Sequence, residues 1–400
     1  MSSELPASWT KIGLGDFAPF FYGKGLPERA RRAGSIPVIS SAGVVGTHAE
    51  ALVDGGVIIG RKGSIGSVFR SRVAFWPIDT TFYVTRRDDA DFEFTFWLLK
   101  SLQSAFEGMN SDSAVPGLNR DAAHQIAVPV PPLPEQRRIA WVLGSLDDKI
   151  ELNRRLARTL EEIAAAIFKA RFIDFEGVTE FEDSEIGLIP KGWQVSTAGE
   201  ELDPVGGGTP DTKHSAYWDD DGYEWATPKD LSGFDGQFLV DTSRRLSELG
   251  ASKISSGLLP EGSVLLSSRA PVGYTAIAGV PMAINQGFIA VRPNESFGSA
   301  YVLLWLRSQL ATIRRRAGGT TFAEISKKAF RPIPFLVPDT HSLSLFDEFV
   351  TPVFAGIRRA EAEMRTLVGV RDALLPKLIS GRVRVPEGAG PDVDPLAEAA

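Results

Sequence analysis

The sequence predicts two α/β (α+β) globules separated by two long helices that pair as an antiparallel intramolecular coiled coil, with an internal pseudo-twofold repeat. Three observations carry this expectation. In residues 131–172, Ile139, Leu143, Leu146, Ile150, Asn153, Ala157, Leu160, Ala164 and Ile167 follow one another at alternating steps of four and three, the a/d spacing of a coiled-coil seam. Adding 207 to each position gives Phe346, Val350, Val353, Ile357, Ala360, Met364, Leu367, Arg371 and Leu374, all apolar except Arg371. The segments that precede the two seams also read as one series of short strands and turns, given twice. A helix of ~38 residues, about 57 Å long, cannot bury its own seam. Two seams in register supply each other, and the polar breaks at Asn153 and Arg371 would fix register or orientation.

Taken in order, residues 1–131 have an α/β texture. Trp9 follows a Pro-Ala-Ser lead, and Gly25-Leu26-Pro27 opens a loop carrying Arg29, Arg31 and Arg32. SIPVIS (35–40) and GGVIIG (55–60) are short, apolar and β-branched, as buried strands require. RKGSIG (61–66) is a Gly-rich turn; SVF, VAFW and TTFYV read as further strands, residues 92–106 as a helix, and 113–131 as loop, short helix and strand. The first long helix (132–172) follows, with Pro134 suited to its first turn and Glu135 at the positive end of its dipole. Residues 173–337 replay the series: Trp193 echoes Trp9, GGGTP (206–210) stands for GKGLP (23–27), and GSVLLSSRAPVG (262–273) matches GGVIIGRKGSIG (55–66). About twenty extra residues intervene after 231, the second long helix spans 338–384, and the Pro-, Gly- and acid-rich tail 385–400 reads as disordered. Antiparallel pairing of the helices predicts two globules related by 180° at the ends of a rod, a geometry suited to a duplex with two half-sites.

Composition narrows the function. The chain has no cysteine, which excludes disulfides and thiolate metal sites, and its four histidines (His48, His124, His214, His341) lack ligand spacing. No apolar run reaches the ~18 residues of a membrane span, and MSSELPASWTKIG lacks a signal-peptide core, so a soluble cytoplasmic protein is expected. The net charge of −7 argues against wholesale coating of nucleic acid but leaves room for local basic loops. FYGKG (21–25) fits a loose methyl-donor pattern, but the Asn/Asp-Pro-Pro-aromatic tetrapeptide that should accompany it is missing, the Pro-Pro pair being followed by Leu133. GLGDFA (13–18) lacks the strand of a dinucleotide fingerprint. A phosphate loop and a G-x-S-x-G elbow are missing too. A non-enzyme is expected.

PPLPEQRRIAWVLGSLDDKIELNRRL with its long helix resembles the central conserved region of the specificity (S, HsdS) subunits of type I restriction-modification systems. GGGTPDTKHSAYWDDDGYEWATPKDL resembles the opening of one of their target recognition domains, and GKGLP…GSIPVISSAGVVGTH with AVPGLNRDAAHQI resembles parts of another. The resemblance covers nearly the whole chain to about Arg384; the second helix departs from it, opening PDTHSLSLFDEF instead of PLPEQ. It implies a non-catalytic scaffold whose two recognition domains (1–131 and 173–337) each read one half of an asymmetric, interrupted double-stranded DNA target, with the helices as a ruler. It implies two modification (methyltransferase) subunits as partners, which use S-adenosylmethionine to methylate adenine, and restriction/translocase subunits, which use ATP and Mg2+. This chain would hold no cofactor or metal, and the partners would flip the base.

Base edges are read by Arg or Lys at guanine and Asn or Gln at adenine, while basic groups and amides hold phosphates. In the first globule this selects Arg61, Lys62 and Ser64 in the Gly-rich turn and Asn119 and Arg120 after Gly117, with Arg29, Arg31 and Arg32 for phosphates. In the second it selects Ser268 and Arg269 in the equivalent turn, Thr320, Thr321, Lys327 and Lys328, then Lys229 and Gln286. Solvated loops would show the same residue types; their occurrence in both repeats favours the two turns. Pro134, Glu135, Gln136, Arg137 and Arg138 are the candidate subunit interface, and solvated salt bridges are the other reading of the helix charges. A coiled-coil adaptor presenting two protein-binding globules would share the repeat but not the basic turns, and heparin retention that falls steeply with salt separates the two.

Overall fold

The computed structural model describes residues 5–109, 117–319, 323–388 and 390. Compactness divides the chain into one unit running to Glu151 and resuming at Arg365, and a second, Leu152–Met364. The division passes through both long helices, so each unit owns a stretch of each.

In the first unit β1 (Thr10–Gly13) leads into the one-turn α1 (Leu14–Phe17). Then come β2 (Phe21–Tyr22), β3 (Ile36–Ser40), β4 (Gly43–His48), β5 (Val53–Gly60), β6 (Val68–Pro77) and β7 (Thr81–Thr85). α2 (Phe92–Ser101), α3 (Gln103–Gly108), α4 (Arg120–His124) and β8 (Ala127–Val130) precede α5 (Leu133–Phe172). The sheet order is β2-β7-β5-β6-β3-β4, with β3 parallel to β6, and β8 returns to pair with β1. β5 is central and buried on both faces, which is why its sequence is a continuous apolar run and not an alternation. Val57, Ile59, Phe82, Trp97 and Leu98 form the core together with Ile139 and Leu143 of α5.

The second unit opens with the hairpin β9 (Phe181–Ser184) and β10 (Gly187–Pro190), then β11 (Gln194–Thr197), α6 (Ala198–Glu201) and β12 (Val205–Gly206). β13 (Trp218–Ala226) precedes the extra residues, which hold β14 (Phe238–Leu239), β15 (Arg245–Leu246) and α7 (Glu248–Ala251). β16 (Val264–Ser267), β17 (Thr275–Ala278), β18 (Met282–Ile284) and β19 (Phe288–Val291) follow. α8 (Ser299–Ser308), α9 (Leu310–Arg316), α10 (Lys327–Phe330) and β20 (Pro334–Val337) lead to α11 (Thr340–Ile379). Here the sheet order β12-β19-β16-β17 repeats β2-β7-β5-β6.

The repeat reaches the hydrogen-bond ladder. Val57 stands opposite Val84 and Ile59 opposite Phe82; Val264 stands opposite Val291 and Leu266 opposite Ile289. α2 and α8, β8 and β20, and α5 and α11 each begin 207 positions apart.

The long helices pack against each other within each unit. In the first, Arg371 Nη1 lies 2.9 Å from Asp147 Oδ1. In the second, Asn153 Nδ2 donates to Glu363 Oε2 at 2.9 Å, and the Phe172 and Phe346 rings lie 5.1 Å apart. Partner numbers fall along α11 as they rise along α5, so the pair is antiparallel. Every predicted seam position is buried or half-buried, and both polar breaks find a charged or polar partner on the facing helix. Packing also continues into the segment read as disordered: Val385 is buried in the first core.

Each long helix starts on an indole. Glu135, 3% exposed, accepts from Trp9 Nε1 at 3.0 Å and from Arg384 Nη2 at 2.8 Å. In the second unit Trp193 Nε1 donates to Asp339 Oδ2 at 2.7 Å, while Asp339 Oδ1 caps α11 by accepting from Ser342 N at 2.9 Å. This accounts for a second helix that starts without PLPEQ. Glu135→Ala strands a buried indole N–H and removes a charge-assisted bond, so it destabilises the first unit by roughly 2–3 kcal/mol. Chemical unfolding followed by tryptophan fluorescence measures the loss.

Candidate nucleic-acid interface

Three short segments of the first unit meet at one node. The turn after β5 is closed by Gly60 N–H to Ser67 O (2.7 Å) and by Arg61 and Lys62 N–H to Thr80 O (2.9 and 3.1 Å). The loop before α4 docks on it through Leu118 N–H to Arg61 O, 2.9 Å. Asn119 Oδ1 then caps α4, accepting from Asp121 N at 2.9 Å and Ala122 N at 3.0 Å. The third segment is β2, whose rings are largely in solvent: Phe21 is 45% exposed and Tyr22 51%. The Arg61 guanidinium lies 5.1 Å and the Arg120 guanidinium 5.2 Å from the Tyr22 ring centroid, and Arg61 Nη1 donates to Asp79 O at 2.9 Å. Gly23 lets the chain leave β2, since a Cβ there would sit 2.1 Å from Ile78 O.

The second unit builds the same node with other side chains. Ile325 N–H donates to Ser268 O at 2.9 Å, as Leu118 does to Arg61. Ser326 Oγ caps α10 from Ala329 N at 3.2 Å, as Asn119 caps α4. Gly206 stands opposite Ile289, the place Tyr22 takes opposite Phe82. A Cβ on Gly206 would lie 3.4 Å from Lys327 Cε.

Arg61, Lys62, Ser64, Asn119 and Arg120 are thus brought together, though the Asn119 carbonyl is already engaged in capping. Arg29 is exposed. Arg31 Nη1 donates to Val45 O at 2.7 Å and Arg32 pairs with Glu50. Lys327 and Lys328 are exposed on α10, and Lys229 is exposed beside the capping pair Thr227 and Asp230. Arg269 Nη1 lies 3.8 Å from Glu324 Oε2, and Gln286 Oε1 accepts from Thr209 Oγ1. Thr320 and Thr321 lie outside the described residues.

Two sets of candidates are placed differently from the rest. Ser268 is 2% exposed: its backbone makes the same pair of bonds as Arg61, to Gly287 O and from Ile325 N, but its side chain is too short to reach the surface as Arg61 does. Glu135 and Gln136 are buried and engaged within the chain, Gln136 accepting from Asp91 N and donating to Pro131 O, both at 2.9 Å. Of the candidate subunit interface, Pro134 and Arg137 remain exposed and Arg138 is half-buried. Sequence reasoning missed Phe21 and Tyr22, having weighed FYGKG only as a methyl-donor loop; the available signal was a pair of adjacent aromatics before a glycine. Among the described residues no group of His, Asp and Glu is placed to hold a metal ion, and no helix is long and apolar enough to cross a membrane.

The family model for the type I restriction modification DNA specificity domain matches residues 6–162 and 190–342. The chain is 33% identical to the MjaIX type I restriction enzyme specificity subunit of Methanocaldococcus jannaschii over 187 residues, 44% of this chain and 43% of that one. That match therefore takes in less than half of the relative's length. It is 23% identical to the HindI specificity subunit of Haemophilus influenzae over 73% of this chain and 77% of that one. In fold it resembles the type I S subunit from M. genitalium, with a TM-score of 0.63 at 16% identity over 95% of this chain and 97% of that one.

One titratable group underpins the node. His124 Nε2 accepts from Phe20 N–H at 2.9 Å, immediately before β2. Burial, then the charge of Arg120, holds its pKa below the ordinary 6.5, against the opposing pull of Asp121 and Asp16. The unfolded chain therefore takes up this proton at higher pH than the folded one. The contribution to stability is complete above pH 6.5 and is lost as pH falls through the depressed folded value. Thermal melts from pH 7.5 down to 5 should show a decline that His124→Gln, which keeps an acceptor but does not titrate, makes shallower.

Proposed function

The chain belongs to the type I restriction modification DNA specificity family, and from that premise we propose that it is the sequence-reading subunit of a type I restriction-modification complex. Its two heads each read one half of a bipartite, asymmetric duplex target, and the paired helices set the gap between the halves. The chain itself makes and breaks no covalent bond. Two modification subunits bind S-adenosylmethionine and methylate adenine, and restriction subunits add ATP- and Mg2+-dependent translocation and cleavage, all in the cytoplasm.

The observation that carries this reading is the duplicated node. Two β-ladders of identical register present a turn, a docked loop and a capped short helix at the same place, with different polar side chains on each. Repeated backbone with divergent side chains suits two readers of two different half-sites. Docking of the modification subunits is supported by an open groove of about 710 Å³ on the first unit, lined by Pro134, Arg137, Arg138 and the exposed Trp141.

Selection of the full chain against a pool of random duplexes, followed by sequencing, tests the reading; the expected result is a two-part motif with an unread gap. Arg61→Ala with Lys62→Ala should weaken binding about tenfold to a hundredfold and make the slope of log K against log salt shallower by about one to two. Unchanged affinity and slope would remove this turn from the interface. Arg137→Glu with Arg138→Glu should reduce co-purification of the modification subunits and leave duplex selection intact; undiminished recovery would take the groove out of the assembly.

A further inference from the structure

We propose that Tyr22 is a base-contacting specificity residue of the first head, presented by the guanidiniums of Arg61 and Arg120, and that the second head reads differently because Gly206 stands in its place. This rests on the DNA-reading function proposed above and adds a residue and a contrast to it.

Tyr22 is not held in place by burial. It is 51% exposed beside Phe21, which is 45% exposed, on a two-residue strand at the sheet edge. Among the described residues its hydroxyl has no hydrogen-bond partner. Its ring meets Phe82 edge-on at 5.0 Å, Arg61 at 5.1 Å and Arg120 at 5.2 Å. Two neighbouring large rings left in water cost free energy that the sheet edge could have avoided with polar residues, and such patches mark binding surfaces. The chemistry around them selects the ligand. In a duplex groove an aromatic ring makes apolar contact with the thymine methyl, and a guanidinium reads guanine through its paired N–H groups. Arg61 is fixed both by Asp79 O and by the ring, so less freedom is lost when its remaining donors engage.

The second head supplies an internal control. Position for position on the ladder, Tyr22 becomes Gly206, Arg61 becomes the buried Ser268, and Arg120 becomes Lys327. Lys327 lies over the bare backbone, its Nζ 3.5 Å from the point a Gly206 Cβ would occupy. Lysine there is a mobile point charge, without the plane or paired donors of arginine. The same frame thus carries a stacked aromatic–guanidinium reader in one head and a lone ammonium in the other.

A neutral ring releases no counterions, so its removal should alter discrimination and leave the salt slope untouched. The test is selection from random duplexes with the full chain, scored separately for each half of the motif, alongside thermal melts and salt titrations. Tyr22→Ala should lose about tenfold or more in preference at one half-site only, with the other half, the salt slope and the melting temperature unchanged. Tyr22→Phe should retain the wild-type motif. Gly206→Tyr, at a position where an added Cβ meets only the end of the Lys327 side chain, should change preference at the other half-site. A wild-type motif that both Tyr22→Ala and Gly206→Tyr leave unchanged overturns the inference and spares the DNA-reading function. A Tyr22→Ala loss spread over both halves with a shallower salt slope also overturns it, since it marks a general loss of phosphate contact. A wild-type chain that selects no two-part motif overturns the DNA-reading function itself, and this inference with it.

Discussion

An apolar seam on a long helix has to be covered, and this chain covers each of its two seams with the other. That requirement governs the rest of the structure. Each core takes in a stretch of both helices: Ile139 and Leu143 with Leu378 and Ile379 in the first, Phe168 and Phe172 with Phe346 and Val350 in the second. Neither globule is therefore finished by its own strands alone. A slip of the seam would pull four ends out of two cores, a heavier penalty than loss of the seam contacts by themselves. The polar seam residues sharpen this, because Asn153 on Glu363 and Arg371 on Asp147 are satisfied in a single register. Asp147 also accepts from Arg70 on β6 at 2.7 Å, tying the sheet to the same register.

Duplication preserved the backbone and released the side chains. The ladder registers, the docking of the loop on the turn, and a side-chain cap on the following short helix all occur twice. What varies lies where backbone geometry makes no demand. An indole anchors the start of each long helix, yet its acceptor is Glu135 inside the helix in one unit and Asp339 at the cap in the other. Glycine persists at 23 and 207 because both sites press on a carbonyl, whereas Tyr22 and Gly206 differ because that position faces outward.

Much of the fold was legible because it is periodic. Steps of three and four residues report a helix and its buried face together, and a matching pattern 207 residues on reports the partner, so the seam could be placed residue by residue. The strand at 55–60 and the helix within 92–106 were legible for the same reason: their apolar runs match one kind of burial each. The burial of Glu135 and Gln136 was not legible because nothing local marks a buried carboxylate; its partners Trp9 and Arg384 lie at opposite ends of the chain. The burial of Ser268 was not legible because the turn backbone is the same as at Arg61, and only side-chain length separates a residue that reaches the surface from one that does not. Tyr22 escaped because a two-residue edge strand leaves no periodicity, and its significance depends on Arg61 and Arg120 converging from far along the sequence.

A reader of DNA with a net charge of −7 must work differently from a basic one. Beyond roughly 8 Å at physiological salt its acidic residues are screened, so the surplus neither helps nor forbids binding at a single node. It does deny the chain the indiscriminate grip that a basic surface supplies. On the reading proposed here, selectivity then has to come from contacts whose strength does not depend on charge number, namely apolar contact with an exposed ring and donors held in a fixed plane. Arg61 and Arg120 beside Tyr22 provide both at one point, which makes the acidic balance of the chain a condition of discrimination.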